Sequence, residues 1–265
     1  MSDNSQNTHA QNPVVFVGGA PRSGTTVTHA LLCTSAKAND YCPEVSFLRP
    51  IVNAYAVGMQ NWDDHTNAFF RTHEDFRQHM LGHVQHSLAL ISKVMGNPQV
   101  LTVKDPLMTP LFYWLHRLMG PKARFVTVVR NPKDVVRSRQ EVLRKMGRPF
   151  TPAAARAIAS EYMQSYAHLN VDVLREAVFA LRYDDLTNEG VLAQLRAFTG
   201  LDDIDVNNVW AEQNTDTTVV ASNPWFSPKY HQPINMEKRL SPLAPEFADV
   251  VAEVCAPLMQ RFGWS

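Results

Sequence analysis

Four short, continuous apolar runs, at residues 14–17, 100–103, 125–129 and 178–181, constrain this chain more than any other feature; they are rich in Val and Phe and lack polar alternation. A strand with one wet face alternates apolar and polar residues, so unbroken runs suit strands buried on both faces of a parallel sheet. Between and after them lie segments with helical spacing, at about 24–34, 68–95, 107–119, 132–146, 152–177, 189–199 and 244–262. Strand and helix therefore alternate. That order predicts an α/β fold, a single domain with a doubly wound parallel sheet flanked by helices, its crossovers right-handed and its ligands at the carboxyl ends of the strands.

Length and composition agree. The 265 residues, 45% apolar and 19% charged, are enough for one core that needs no staples. The domain is expected to span 14–265 behind a polar tail, 1–13, expected to be disordered. There is no internal repeat and no linker. The stretch 214–245, with Pro224, Pro228, Pro233, Pro242 and Pro245, is long and irregular, the pattern of a functional loop. Cys33, Cys42 and Cys255 are odd in number and widely spaced, which fits neither a disulfide framework nor a CxxC metal or redox site, and suits a reducing compartment. The N-terminal residues carry no apolar signal region and no stretch approaches 18 apolar residues, so a cytoplasmic protein without a membrane span is expected.

The formal net charge is zero but unevenly placed. Residues 122–148 hold nine Lys or Arg against Asp134 and Glu141, a net of +7, and 184–216 hold eight acidic residues against Arg196, a net of −7. This reads as a local anion site or as two solvated faces that compensate each other, rather than as a general affinity for polyanions. With Phe125 as its only aromatic residue, the basic segment lacks the stacking platforms of a nucleic-acid binder.

The first apolar run leads straight into Gly18-Gly19-Ala20-Pro21-Arg22-Ser23-Gly24-Thr25-Thr26 and then a helical segment. Gly19, four residues, Gly24 and Thr25-Thr26 have P-loop spacing, with Thr25 where the lysine belongs. Glycines permit the tight turn, successive N–H groups converge and the helix start adds its positive dipole end, so a phosphate can be held without a metal. Arg22 supplies a cation at a different point of the loop. A triphosphatase also needs an acidic strand end to hold magnesium, yet the third run ends Val128-Val129-Arg130. The helix that follows Asn131 carries Ser138, and Arg130 and Ser138 can both face the carboxyl edge as a second anion site. Two anion sites and no metal site fit a nucleotide with separated phosphates, such as a 3',5'-bisphosphate.

These residues resemble the PAPS-dependent sulfotransferases, whose signatures are a 5'-phosphosulfate loop, here Ala20 to Thr26, and a strand-plus-helix that binds the 3'-phosphate, here Val129 to Ser138. Arg182-Tyr183-Asp184-Asp185-Leu186 is similar to the family's block after the fourth strand. Cys42-Pro43-Glu44, Lys104-Asp105-Pro106, Pro233-Ile234-Asn235 and the terminal Phe262-Gly263-Trp264 are closer to tyrosylprotein sulfotransferases and their bacterial relatives than to the phenol and steroid enzymes. The resemblance implies that PAPS is the co-substrate and PAP the product, with no metal required. It implies that Arg22, Ser23, Gly24, Thr25, Thr26, Arg130, Ser138, Tyr183 and Lys229 hold the nucleotide, Lys229 standing in for a lysine that this chain replaces with Gln232. Glu44 would be the general base, with Arg22 and Lys104 as the cations at the bridging oxygen. The acceptor would be a hydroxyl, or secondarily an amine, of a small molecule or peptide.

The chain also departs from the family pattern. Lys104-Asp105-Pro106 stands where the phenol and steroid enzymes carry a His base, and Val27 replaces an aromatic residue, so adenine has no assigned stacking partner. Two other readings remain: a small-molecule or nucleotide kinase with a degenerate P-loop, and a non-catalytic nucleotide binder. His79, His83 and His86 share one helix face and read as a polar stripe rather than a metal site. Trp62, Phe69, Phe70 and Phe76 read as core, or as the wall of an apolar acceptor site. Nothing in the sequence sets the oligomeric state, and a homodimer stays open.

Overall fold

The computed structural model describes residues 13–209, 234 and 241–264. The four apolar runs form four parallel strands, β1 (Val14–Gly18), β2 (Leu101–Lys104), β3 (Ala123–Val129) and β4 (Val178–Arg182), in the spatial order β2-β1-β3-β4. Strand β1 is buried throughout. Alternate residues serve opposite faces of the sheet, and both faces are covered, which is why no polar alternation is visible. Val14, Phe16, Val103 and Phe125 pack into one apolar cluster, and Val15, Val17, Val126 and Val128 into the other.

The first face is covered by α2 (Leu48–Gln60), α3 (His73–Val94) and α4 (Phe112–Met119), the second by α1 (Thr25–Leu32) and α7 (Glu189–Thr199). A third cluster joins α5 (Pro132–Lys145), α6 (Pro152–Ser165) and α8 (Pro245–Phe262) around Val136, Tyr162, Tyr166, Val251 and Cys255. The result is the single α/β domain that the alternation predicts.

Three details differ from the expected boundaries. Helix α2 was not anticipated; its core face, Leu48, Val52, Tyr55 and Ala56, has helical spacing, but Pro50 and Gly58 interrupt the local signal. The 107–119 segment begins as a 3-10 turn, Pro106–Leu111, because Pro110 has no N–H to donate, and becomes α-helical only at Phe112. The 152–177 segment ends its helix at Ser165 and continues as two short 3-10 turns. The expected tail through residue 12, Lys229, Gln232 and most of the Pro-rich 214–245 stretch lie outside the described residues.

Strand order fixes where a ligand can sit. From β1 the chain goes to β2 on one side and to β3 on the other, so the loops leaving β1 and β3 diverge and leave a crevice between their carboxyl ends. The glycine loop leaves β1 there, and Arg130 leaves β3 there. Lys104, the last residue of β2, pairs in register with Val17 of β1, one residue before Gly18.

Candidate active site

The loop after β1 is held from three sides. Gly19 N–H donates to Thr109 Oγ1 at 2.8 Å, Ala20 N–H donates to Tyr166 Oη at 3.1 Å, and Tyr166 Oη–H donates on to Val128 O at 2.7 Å. Gly19 and Gly24 have φ of 140° and 108°; a Cβ at Gly19 would strike the Val128 carbonyl, and one at Gly24 the Tyr183 ring. Only glycine fits either place. Helix α1 starts at Thr25 with no side-chain cap and no acidic residue in its first turn, so its leading N–H groups face the crevice end of the sheet without intrahelical partners. Ser23 and Thr28 are fully buried there, and the Thr28 hydroxyl has no hydrogen-bond partner.

The second anion element meets this loop directly. Arg22 takes φ 78°, the left-handed region, and its Nε–H donates to Ser138 Oγ at 3.0 Å. Helix α5 is capped by Asn131, whose Oδ1 accepts from Lys133 N–H at 2.9 Å, and Tyr162 Oη–H donates to Arg130 O at 2.7 Å. The Arg130 guanidinium lies 4.4 Å above the Tyr183 ring and 3.6 Å from Asp134 Oδ2, while its buried Nε has no hydrogen-bond partner. Arg130 thus forms an ion pair with Asp134 through this same Nε, at a distance beyond a hydrogen bond. The Tyr183 ring packs on Gly24 and lies beneath the Arg130 guanidinium. Elsewhere in the basic segment, Arg137 and Arg144 both pair with Glu141, and Arg139 pairs with Glu161 of α6.

At the adjacent strand end, Lys104 Nζ donates to Glu44 Oε1 at 3.0 Å; the Lys104 side chain is 4% exposed and that of Glu44 47%. Val45 N–H donates to Lys104 O at 3.0 Å, which ties the Glu44 segment to β2. The two residues assigned as base and cation thus touch, although 60 residues separate them in sequence. Asp105, which no motif singled out for a role, is buried beside them; Leu107 N–H donates to its Oδ1 at 2.9 Å and Arg49 Nε lies 3.9 Å from its Oδ2. Burial pushes the Asp105 carboxyl above its ordinary range, against the pull of the Leu107 amide and Arg49.

Behind the pair, His29 is fully buried, and burial together with the Lys104 ammonium lowers its pKa to about 3, so the ring is neutral. Burial likewise holds Cys33 and Cys42 as thiols, up to about 12 and about 11, and all three cysteines are free. Sequence reasoning missed His29, Asn39, Asp105 and Thr109. The Lys-Asp-Pro block was the one local signal that reached any of them.

The remaining candidates disperse. His79 and His83 stack edge to face with centroids 4.9 Å apart and His79 packs on Phe70; among the described residues no three His, Cys, Asp or Glu side chains could share a metal. Phe76 is core, and Trp62 stacks on His73 at 4.0 Å. Phe69 is instead 82% exposed on an open apolar groove of about 510 Å³ that runs beside Pro50, Val57 and Phe70. Among the described residues no helix is long and apolar enough to cross a membrane.

The glycine loop, Arg130 and the Glu44–Lys104 pair thus lie at the carboxyl ends of one parallel sheet with helices on both faces. The sequence profile described as the sulfotransferase family matches residues 13–205, and the chain belongs to that family. Its fold is similar to the sulfotransferase domain from the curacin biosynthetic pathway (TM-score 0.58, 15% identity, 96% of this chain and 98% of that one) and to the sulfotransferase domain of the Synechococcus PCC 7002 olefin synthase (0.53, 15%, 98% of each). It is also similar to the sulfotransferase STF9 from Mycobacterium avium (0.53, 14%, 96% of this chain and 78% of that one). No curated protein matches the sequence.

Proposed function

We propose that this sulfotransferase moves the sulfuryl group of PAPS to a hydroxyl of a small-molecule or peptide acceptor and releases PAP. One observation carries the reading: Arg22 of the glycine loop reaches Ser138 of the α5 signature, so the two elements read as anion-binding adjoin on one crevice, as a nucleotide with both a 5' and a 3' phosphate requires. The buried Arg130 Nε, which has no hydrogen-bond partner, is a donor that such a phosphate would satisfy.

Sulfuryl transfer depends mostly on positioning and on charge stabilisation along an in-line path. Glu44 takes the proton of the acceptor hydroxyl while the acceptor oxygen bonds to sulfur. The bond from sulfur to the bridging phosphate oxygen breaks, and its electrons leave on PAP. Lys104 and Arg22 face that developing charge, and Arg130 and Ser138 anchor the 3'-phosphate. The contact between Glu44 and Lys104 supports reading the two as proton acceptor and leaving-group cation. The Cys-Pro-Glu and Lys-Asp-Pro blocks support the tyrosylprotein-like and bacterial branch, and three free thiols suit a cytoplasmic setting.

A thermal-shift titration with PAP, run beside ATP plus magnesium and 5'-AMP, tests the reading. Ligand at 100 times its Kd adds about 2.7 kcal/mol of stability, a shift of several degrees in a domain of this size. A shift with PAP that Arg130→Ala abolishes is the expected result. A shift with ATP and magnesium but none with PAP would replace the proposal with a kinase.

A further inference from the structure

Strand β2 is an edge strand, so the backbone groups on its outer side have no neighbouring strand to pair with. The segment after α1 covers them. Val100 N–H donates to Lys37 O at 3.0 Å, Ala38 and Val100 form a parallel bridge, and Val45 N–H donates to Lys104 O at 3.0 Å. The Val45 bond sets Glu44 opposite Lys104; from Ala38 to Glu44 is six residues and from Val100 to Lys104 four. Two residues are therefore looped out of what would otherwise be a fifth strand, and the chain returns to register at Glu44.

The gap in this pairing falls at Thr102, and a side chain fills it. Asn39 Oδ1 accepts from Thr102 N–H at 2.6 Å and from Thr102 Oγ1–H at 3.1 Å, and Asn39 Nδ2 donates to Thr102 O at 3.0 Å and to Asp40 O at 2.8 Å. Every hydrogen-bonding position of the carboxamide is used, and the residue is 2% exposed. His29 Nε2–H donates to the same Thr102 carbonyl from the other side at 3.1 Å.

We propose that Asn39 is the positioning residue for Glu44: its carboxamide stands in for the missing strand at Thr102 and sets the register at which residues 40–44 bring the Glu44 carboxylate to Lys104. The chain can reach Lys104 at several registers once two residues are free to loop out, and a one-residue slip turns every side chain over. Four hydrogen bonds at Asn39 select one of them. The proposal rests on the reading of Glu44 as the general base, and adds what aims it.

Hydrolysis of PAPS to PAP and sulfate, with water as the acceptor, is the probe, because it requires no knowledge of the natural acceptor. Asn39→Ala is expected to keep its PAP-induced thermal shift, to lose about 100-fold in turnover, the order of loss that a misplacement of about 1 Å produces, and to cost nothing further when Glu44→Gln is already present. Asn39→Asp, which keeps the acceptor for the Thr102 N–H, falls between and serves in its place if the alanine variant does not fold. A crystal structure of the same variant should show the contact between Glu44 and Lys104 broken. An equal loss in the Glu44→Gln background, or an intact contact, overturns the proposal. Wild-type turnover in Glu44→Gln alone would sink the general-base reading instead, and the crystal contact would then decide the role of Asn39 by itself.

Discussion

Arg22 and Ser138 meet through one hydrogen bond of 3.0 Å although 116 residues lie between them. Arg22 holds a left-handed φ of 78° to make it, a conformation that costs a non-glycine residue of order 1–3 kcal/mol. Strain of that kind persists where the surroundings over-determine it, and here the surroundings are Tyr166, Thr109 and Val128 around the loop.

If the two residues act as one anion clamp, Arg22→Ala and Ser138→Ala should each weaken PAP binding, and the double variant should lose less than the two combined, with a coupling of about 0.5–3 kcal/mol. Arg22→Lys should not rescue, because an ammonium lacks the Nε–H that reaches Ser138. Isothermal titration with PAP measures the wild type and all four variants. Additive costs would show two independent contacts.

The base and the cation separate by a different measurement. Glu44→Gln keeps the shape of the side chain and removes its ability to take a proton, so kcat should fall by about 10²–10⁴ with PAP affinity unchanged. Lys104→Met should lower kcat as well but also weaken PAP, since it removes a buried cation from the nucleotide's side of the crevice. Stopped assays over a range of PAPS concentrations give both constants. A Glu44→Gln enzyme with normal kcat would remove this residue from the mechanism.

Much of this arrangement is local in sequence, which is why it was legible. A both-faces-buried strand shows as an unbroken apolar run, and a phosphate loop shows as Gly19, Gly24 and two Thr in a row, so β1 through β4 and the two anion signatures can be read within windows of ten residues. The roles of Glu44 and Lys104 came only through family resemblance, because nothing in Cys42-Pro43-Glu44 announces a partner 60 residues away. Asn39 was invisible for a further reason: its value depends on β2 lying at the sheet edge, and strand order is a property of the whole topology. Helix α2 escaped because Pro50 and Gly58 broke a pattern that the packing of Tyr55 and Gly58 against Phe76 of α3 restores.

Gly24 and Tyr183 give a third prediction. A Cβ at Gly24 would collide with the Tyr183 ring at a φ that side chains avoid, so Gly24→Ala should cost about 1–3 kcal/mol of stability and abolish the PAP shift. Tyr183→Phe keeps the ring on Gly24 and beneath Arg130, and should leave stability within about 0.5 kcal/mol, the range of a substitution that removes no packing. A PAP affinity lost in the phenylalanine variant would assign the hydroxyl to the nucleotide; an affinity kept would assign the ring alone. Denaturant melts and PAP titrations of the two variants decide this.

The last prediction concerns pH. His29 and His168 are buried and neutral, with burial lowering them to about 3 and about 4, and His168 Nε2 lies 2.8 Å from Thr127 Oγ1. In the unfolded chain both would titrate near 6.5. Between about pH 6.5 and pH 4 the unfolded state therefore binds protons that the folded state refuses, and stability falls as the pH falls, by up to about 1.4 kcal/mol per pH unit for each ring. Asp105 opposes this at the acid end, since burial raises its carboxyl and the folded state takes that proton first. Urea melts at pH 7.5, 6 and 5 should show the loss directly, and His29→Gln, which keeps a donor for the Thr102 carbonyl, should roughly halve the slope. A wild-type protein equally stable at pH 7.5 and pH 5 would mean that one or both rings charge within the fold, and that the wall behind Lys104 is wetter than its packing indicates.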